Sequence, residues 1–193
     1  SDGTIWVGSN GAGLFQYQSE SETFTQYANI PGDTNSLSFN VVFSLHEDHE
    51  GNMWIGTYGG VYQFDLLTEK FKSYLHTQNN PESLSNNYVY SILEDFQENI
   101  WFGTASGLNR LNTKTYSFQH FYQKDGLPSD VIFGIVEDDK GNIWLSTNKG
   151  LSRYNPNDKS FKNYDKKKSK KLIQLGKISL PFQTYHDYYQ IKE

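Results

Sequence analysis

Gly141-Asn142-Ile143-Trp144-Leu145-Ser146-Thr147 decides how this chain is read, because the chain repeats it. The same pattern stands at Gly51-Asn52-Met53-Trp54-Ile55-Gly56-Thr57 and at Glu98-Asn99-Ile100-Trp101-Phe102-Gly103-Thr104. It also opens the chain at Gly3-Thr4-Ile5-Trp6-Val7-Gly8-Ser9. Successive tryptophans lie 48, 47 and 43 residues apart. A period in the forties marks a stacked array of one supersecondary unit. Activity in such an array belongs to a surface that several units build together.

Working outward from Trp54, residues 41–48 form an apolar run that ends in acid, and this reads as a first strand. Residues 48–52 make a turn, in which Gly51 accepts a positive φ and Asp48 and Asn52 bond back to the backbone. Residues 53–57, 61–65 and 71–74 read as three further strands, the last outermost by its polarity. The third and fourth units repeat this order, and the first lacks its opening strand. Four antiparallel strands per unit is the pattern of a β-propeller blade. The expected fold is all-β, with three complete blades (41–74, 88–121, 131–164) and a partial one (1–27) within a repeat region 1–165.

Trp6, Trp54, Trp101 and Trp144 read as wedges between neighbouring blades, and Gly51 and Gly141 as turn formers. Gly8, Gly56 and Gly103 allow close approach of another backbone, and Ser146 is expected to leave less room. Glu98 stands where the other complete units have glycine, so a left-handed backbone there costs about 1 kcal/mol.

Composition narrows the function. The 193 residues carry a net charge of −5 and show no basic face, which argues against nucleic acid. There is no cysteine, hence no disulfide and no thiolate metal site. No apolar run is long enough to span a bilayer, so no membrane contact is expected of these residues. The five histidines share no repeat position and have no metal-ligand spacing. Asp48, Asp95 and Asp138 recur at one turn, which makes them structural rather than catalytic. No catalytic residue, cofactor or metal is expected.

The lysine-rich stretch 166–171 opens a non-repeat tail, 166–193, which reads as solvated and disordered. Residues 172–180 offer an alternative, a strand that closes a four-bladed ring. An open arc is the preferred reading, and its uncovered end blades are expected to self-associate. The loops that share one face of such an arc carry Phe39, Asn40, Tyr58, Asn87, Tyr88, Asp130 and Asn148. Their rings can stack on sugar faces and their polar groups can bond hydroxyls.

The run Glu137-Asp138-Asp139-Lys140-Gly141-Asn142-Ile143-Trp144-Leu145-Ser146-Thr147-Asn148-Lys149-Gly150-Leu151-Ser152-Arg153-Tyr154 closely resembles the two-component regulator propeller repeat. The resemblance implies a fragment of the extracytoplasmic sensor of a hybrid two-component system, of a kind typical of Bacteroidetes. It implies a periplasmic location, an oligosaccharide ligand and a histidine kinase domain elsewhere in the parent protein. Other readings are a propeller glycoside hydrolase or lyase, and a protein-interaction scaffold.

Overall fold

The computed structural model describes residues 4–174. Fifteen strands form four antiparallel sheets. The first holds β1 (Trp6–Gly8), β2 (Leu14–Gln18) and β3 (Thr23–Tyr27). The second holds β4 (Val42–Glu47), β5 (Asn52–Thr57), β6 (Gly60–Asp65) and β7 (Lys70–Tyr74). The third holds β8 (Val89–Glu94), β9 (Asn99–Thr104), β10 (Gly107–Asn112) and β11 (Ser117–Phe121). The fourth holds β12 (Ile132–Glu137), β13 (Ile143–Thr147), β14 (Gly150–Asn155) and β15 (Ser160–Tyr164). A helix, α1 (Lys166–Gln174), follows. Strand order within each sheet follows chain order, the meander of a propeller blade.

The sheets stack so that β4, β8 and β12 lie side by side as innermost strands, with β1 against β4. The arc is open. Its core is accordingly split into three layers, one at each junction between sheets. Leu14, Leu37, Met53, Ile55, Tyr62 and Phe64 fill the first junction. Trp54, Val61, Leu84, Val89, Ile100 and Phe102 fill the second. Trp101, Leu108, Leu127, Ile132, Leu145 and Tyr154 fill the third. Leu37, Leu84 and Leu127 come from the loops ahead of the inner strands and plug the grooves between sheets.

Three of the four tryptophans lie between neighbouring sheets. Trp6 meets Phe64, Trp54 meets Phe102 and Trp101 meets Tyr154, each on the following sheet, with ring centroids 5.6–5.8 Å apart. In the three four-stranded sheets the tryptophan is also fastened at its polar end. Asp48 Oδ2 accepts the Trp54 indole N–H at 2.7 Å, and Asp95 and Asp138 do the same for Trp101 and Trp144 at 2.7 and 2.8 Å. The other carboxylate oxygen accepts the backbone N–H of Asn52, Asn99 or Asn142. One acid therefore closes the turn and satisfies a buried indole, which otherwise costs about 1–3 kcal/mol. Burial acts against ionisation at Asp138, but bonds from Trp144 and Asn142 hold its carboxyl below the usual range.

The glycines after the tryptophans make room for the next sheet. A Cβ on Gly56 would lie 2.4 Å from Ser44 Oγ and 3.0 Å from the Val89 carbonyl, and Gly103 has the same relation to Ser91 and Ile132. In the fourth sheet the pair is exchanged, with Ser146 opposite Gly134 where the others have Gly56 opposite Ser44 and Gly103 opposite Ser91. The tighter space expected at Ser146 is thus relieved within its own sheet by a missing side chain. Gly51 and Gly141 turn at φ 83° and 75°, and Glu98 does so at 66° with a side chain that pairs with Lys114 at 3.2 Å.

The reading of 166–171 as a disordered tail is corrected, because these residues open α1. Asp165 caps it by accepting the Lys168 N–H at 2.8 Å. Ser169 is buried, accepts the Leu151 N–H and donates to the Tyr164 carbonyl, which ties the helix to the fourth sheet. Residues 172–174 are therefore helical, and the rest of the alternative closing strand lies outside the described residues.

Candidate axial site

Each inner strand carries one residue too many for its partner. Between Val42 and Ser44 the register against β5 shifts, and it shifts again between Val89 and Ser91 and between Ile132 and Gly134. The surplus residues are Phe43, Tyr90 and Phe133. A bulge of this kind leaves one residue outside the ladder and re-aims its side chain. The three rings form a row across the inner strands, with Tyr90 5.5 Å from both Phe43 and Phe133.

The loops above extend the row. Tyr58, in the β5–β6 turn, lies 6.4 Å from Phe43 and 5.9 Å from Phe39, and stacks on Tyr88 at 4.0 Å. Gly59 makes the place for Phe39, since a Cβ there would lie 2.0 Å from the ring. Thr57 holds the turn by accepting the Gly59 N–H and donating to the Gly60 carbonyl. Phe39, Tyr58 and Tyr88 are 49%, 41% and 36% exposed, so the row ends in rings open to solvent. A hydrogen bond with Tyr58 raises the pKa of Tyr88.

Three of the seven residues expected at the site are thus brought together: Phe39, Tyr58 and Tyr88. Three others serve the loops. Asn40 Oδ1 accepts the Asn29 N–H at 2.6 Å, Asn87 Oδ1 accepts the His76 N–H at 2.6 Å, and Asp130 Oδ1 accepts the Gln123 N–H at 2.7 Å. They are one repeat position, a staple that closes each loop before its inner strand. Asn148 is exposed at the β13–β14 turn, the counterpart of Tyr58. Sequence reasoning missed Phe43, Tyr90 and Phe133. The available signal was an aromatic residue at the third position of each complete unit, in Val41-Val42-Phe43, Tyr88-Val89-Tyr90 and Val131-Ile132-Phe133.

Two concavities lie elsewhere. A groove of about 420 Å³ between loops is lined by His76, Ser83, His120, Lys124 and Asp125. Its histidines already bond the Leu84 and Ser83 carbonyls, at 2.7 and 2.8 Å, and desolvation lowers the pKa of His120. The other, about 540 Å³, lies over the β4–β5 turn, where His49 bonds Glu94 and its pKa is raised by that bond. Both are walled by groups that hold neighbouring sheets together. Among the described residues no cluster of three or more His, Cys, Asp or Glu could hold a metal, and no helix is long and apolar enough to cross a membrane.

The model for the two component regulator propeller matches residues 36–59, 83–106 and 126–149, each running from a groove plug or its loop through the inner strand to the next turn. No curated protein matches. Among solved structures, the chain is similar to the extracellular domain of the hybrid two component system BT3049 from B. thetaiotaomicron, with 29% identity and a TM-score of 0.72 over 83% of this chain and 22% of that one. A corresponding domain of BT4673 from the same organism gives 27% identity and a TM-score of 0.73 over 84% of this chain and 24% of that one. The chain therefore spans less than a quarter of either domain. Virginiamycin B lyase from Staphylococcus aureus, 14% identical with a TM-score of 0.63 over 86% of this chain and 53% of that one, shares the fold alone. Each of the three matched stretches covers the first two strands of one four-stranded sheet, so the likeness to the two component regulator propeller falls on the same part of each.

Proposed function

We propose that this chain is part of the periplasmic sensor of a hybrid two-component system and binds an oligosaccharide along its axial row of rings. The observation that carries this reading is the continuous run Phe39–Tyr58–Phe43–Tyr90–Phe133, with Tyr88 stacked on Tyr58. Sugars present flat C–H faces between hydroxyl edges. Aromatic rings with a polar tip match both parts. An apolar row with a few placed polar groups is the usual composition of a binding site. The six residues are all aromatic, whereas glycoside hydrolysis requires two carboxylates across the scissile bond. Binding without turnover follows, with the signal passed to domains beyond these residues. The similarity to extracellular domains of such systems supports this reading.

Isothermal titration with a panel of oligosaccharides tests it. At least one is expected to bind and to be recovered intact by chromatography. Tyr58→Ala and Tyr90→Ala are each expected to weaken that binding roughly tenfold or more. A panel without binders, or affinity untouched by both substitutions, refutes the site. Cleaved sugar refutes the non-catalytic reading.

A further inference from the structure

The two ends of the arc present unlike faces, and the three junctions inside the chain show what each face packs against. On one side of every sheet stands the tryptophan with its cross-strand neighbour, Gln63 opposite Trp54, Arg110 opposite Trp101 and Arg153 opposite Trp144. On the other side stand the residues before and after the tryptophan. In the second, third and fourth sheets these are Met53 and Ile55, Ile100 and Phe102, and Ile143 and Leu145, all at most 4% exposed. They are buried because the preceding sheet lays its tryptophan face on them.

In the first sheet the same positions are Ile5 and Val7, which are 56% and 44% exposed. Phe15, Tyr17 and Phe24 continue the patch, with Phe24 5.2 Å from Tyr17 and 6.3 Å from Phe15. At the far end, Trp144 stacks on Tyr164 at 5.4 Å and Arg153 lies 5.9 Å above its ring, with no sheet beyond among the described residues.

We propose that the first sheet of one copy docks on the Trp144 face of a second copy, head to tail. One further observation favours a second copy as the occupant. Inside the chain, Lys72 lies 4.0 Å over the ring of Tyr116, on the next sheet. Lys162 holds the place of Lys72 in β15, and Glu22 holds the place of Tyr116 immediately before β3, with the same positive φ of 54°. The junction between copies thus sets Lys162 against Glu22, opposite charges at a position of known contact. The contact is heterologous, so it closes into a ring or propagates according to the angle between copies.

Light scattering and sedimentation on the 193-residue chain test this proposal. The mass is expected to rise above 22.3 kDa with concentration. Val7→Asp sets a carboxylate where the counterparts Ile55 and Phe102 are fully buried, and is expected to leave a folded monomer. Glu22→Lys and Lys162→Glu fall on exposed side chains, and each alone is expected to weaken association about fivefold to tenfold. Mixing these two variants makes the contact complementary in either order and is expected to give a mixed assembly tighter than that of either variant alone. A wild-type chain that stays monomeric at every concentration overturns the proposal, as does a mixture that associates no better than its components.

Discussion

Gly59 shows how closely one residue sets the axial site. Its φ is not in the left-handed region, so any effect of a side chain there is steric. A Cβ would meet Phe39 at 2.0 Å, and the ring, half exposed, must leave its place beside Tyr58. Gly59→Ala is expected to change stability by less than about 1 kcal/mol. The affinity for whichever oligosaccharide binds is expected to fall roughly tenfold. Paired thermal melts and titrations check both halves, and a large loss of stability would place Phe39 in the framework instead. At this scale the sequence was legible only in part. Phe39, Tyr58 and Tyr88 were read as ring platforms from their place in loops. Asn40, Asn87 and Asp130 looked the same by that criterion. Their partners Asn29, His76 and Gln123 stand seven to eleven residues back, and only the folded loop shows that each oxygen already has a donor.

The element that recurs is the bracket of aspartate, asparagine and tryptophan around the turn between the first two strands of a complete sheet. At Asp138 the carboxyl titrates below its ordinary value of about 3.9. A lowered folded pKa contributes stability that is present above the unfolded pKa and is lost as pH falls through the folded one. Thermal midpoints are therefore expected to drop as the solution is acidified below that value. Asp138→Asn is expected to cost about 1 kcal/mol at neutral pH and to flatten part of the acid dependence. An acid profile identical to that of the native chain would show that the carboxylate does not matter there. The repeat itself was plain from sequence because Gly, Asn and Trp keep fixed spacing. The bulges at Phe43, Tyr90 and Phe133 were not, since a bulge is a mismatch in count between two strands and each strand alone reads as regular. Helix α1 escaped notice for a related reason. Six residues with five lysines resemble a solvated run, and the tie from Ser169 to Leu151 crosses eighteen positions.

Across the molecule, stability resides in junctions rather than in one centre. Arrays of this kind behave as a sum of unit and nearest-neighbour terms. Trp101 is the largest side chain of the third junction and is fully buried. Trp101→Ala is expected to remove about 3–5 kcal/mol and to uncouple the fourth sheet from the rest. Hydrogen exchange should then show β12 to β15 opening ahead of β4 to β7. Uniform loss of protection along the whole chain would mean a single cooperative unit instead.

The bulges give this architecture a further property. Phe43, Tyr90 and Phe133 each leave their ladder at the same height, while the side chains that cement adjacent sheets occupy other positions. An axial ring can therefore be exchanged without removing a member of the three buried layers between sheets, so the chemistry of the inner rim can vary while those layers stay the same.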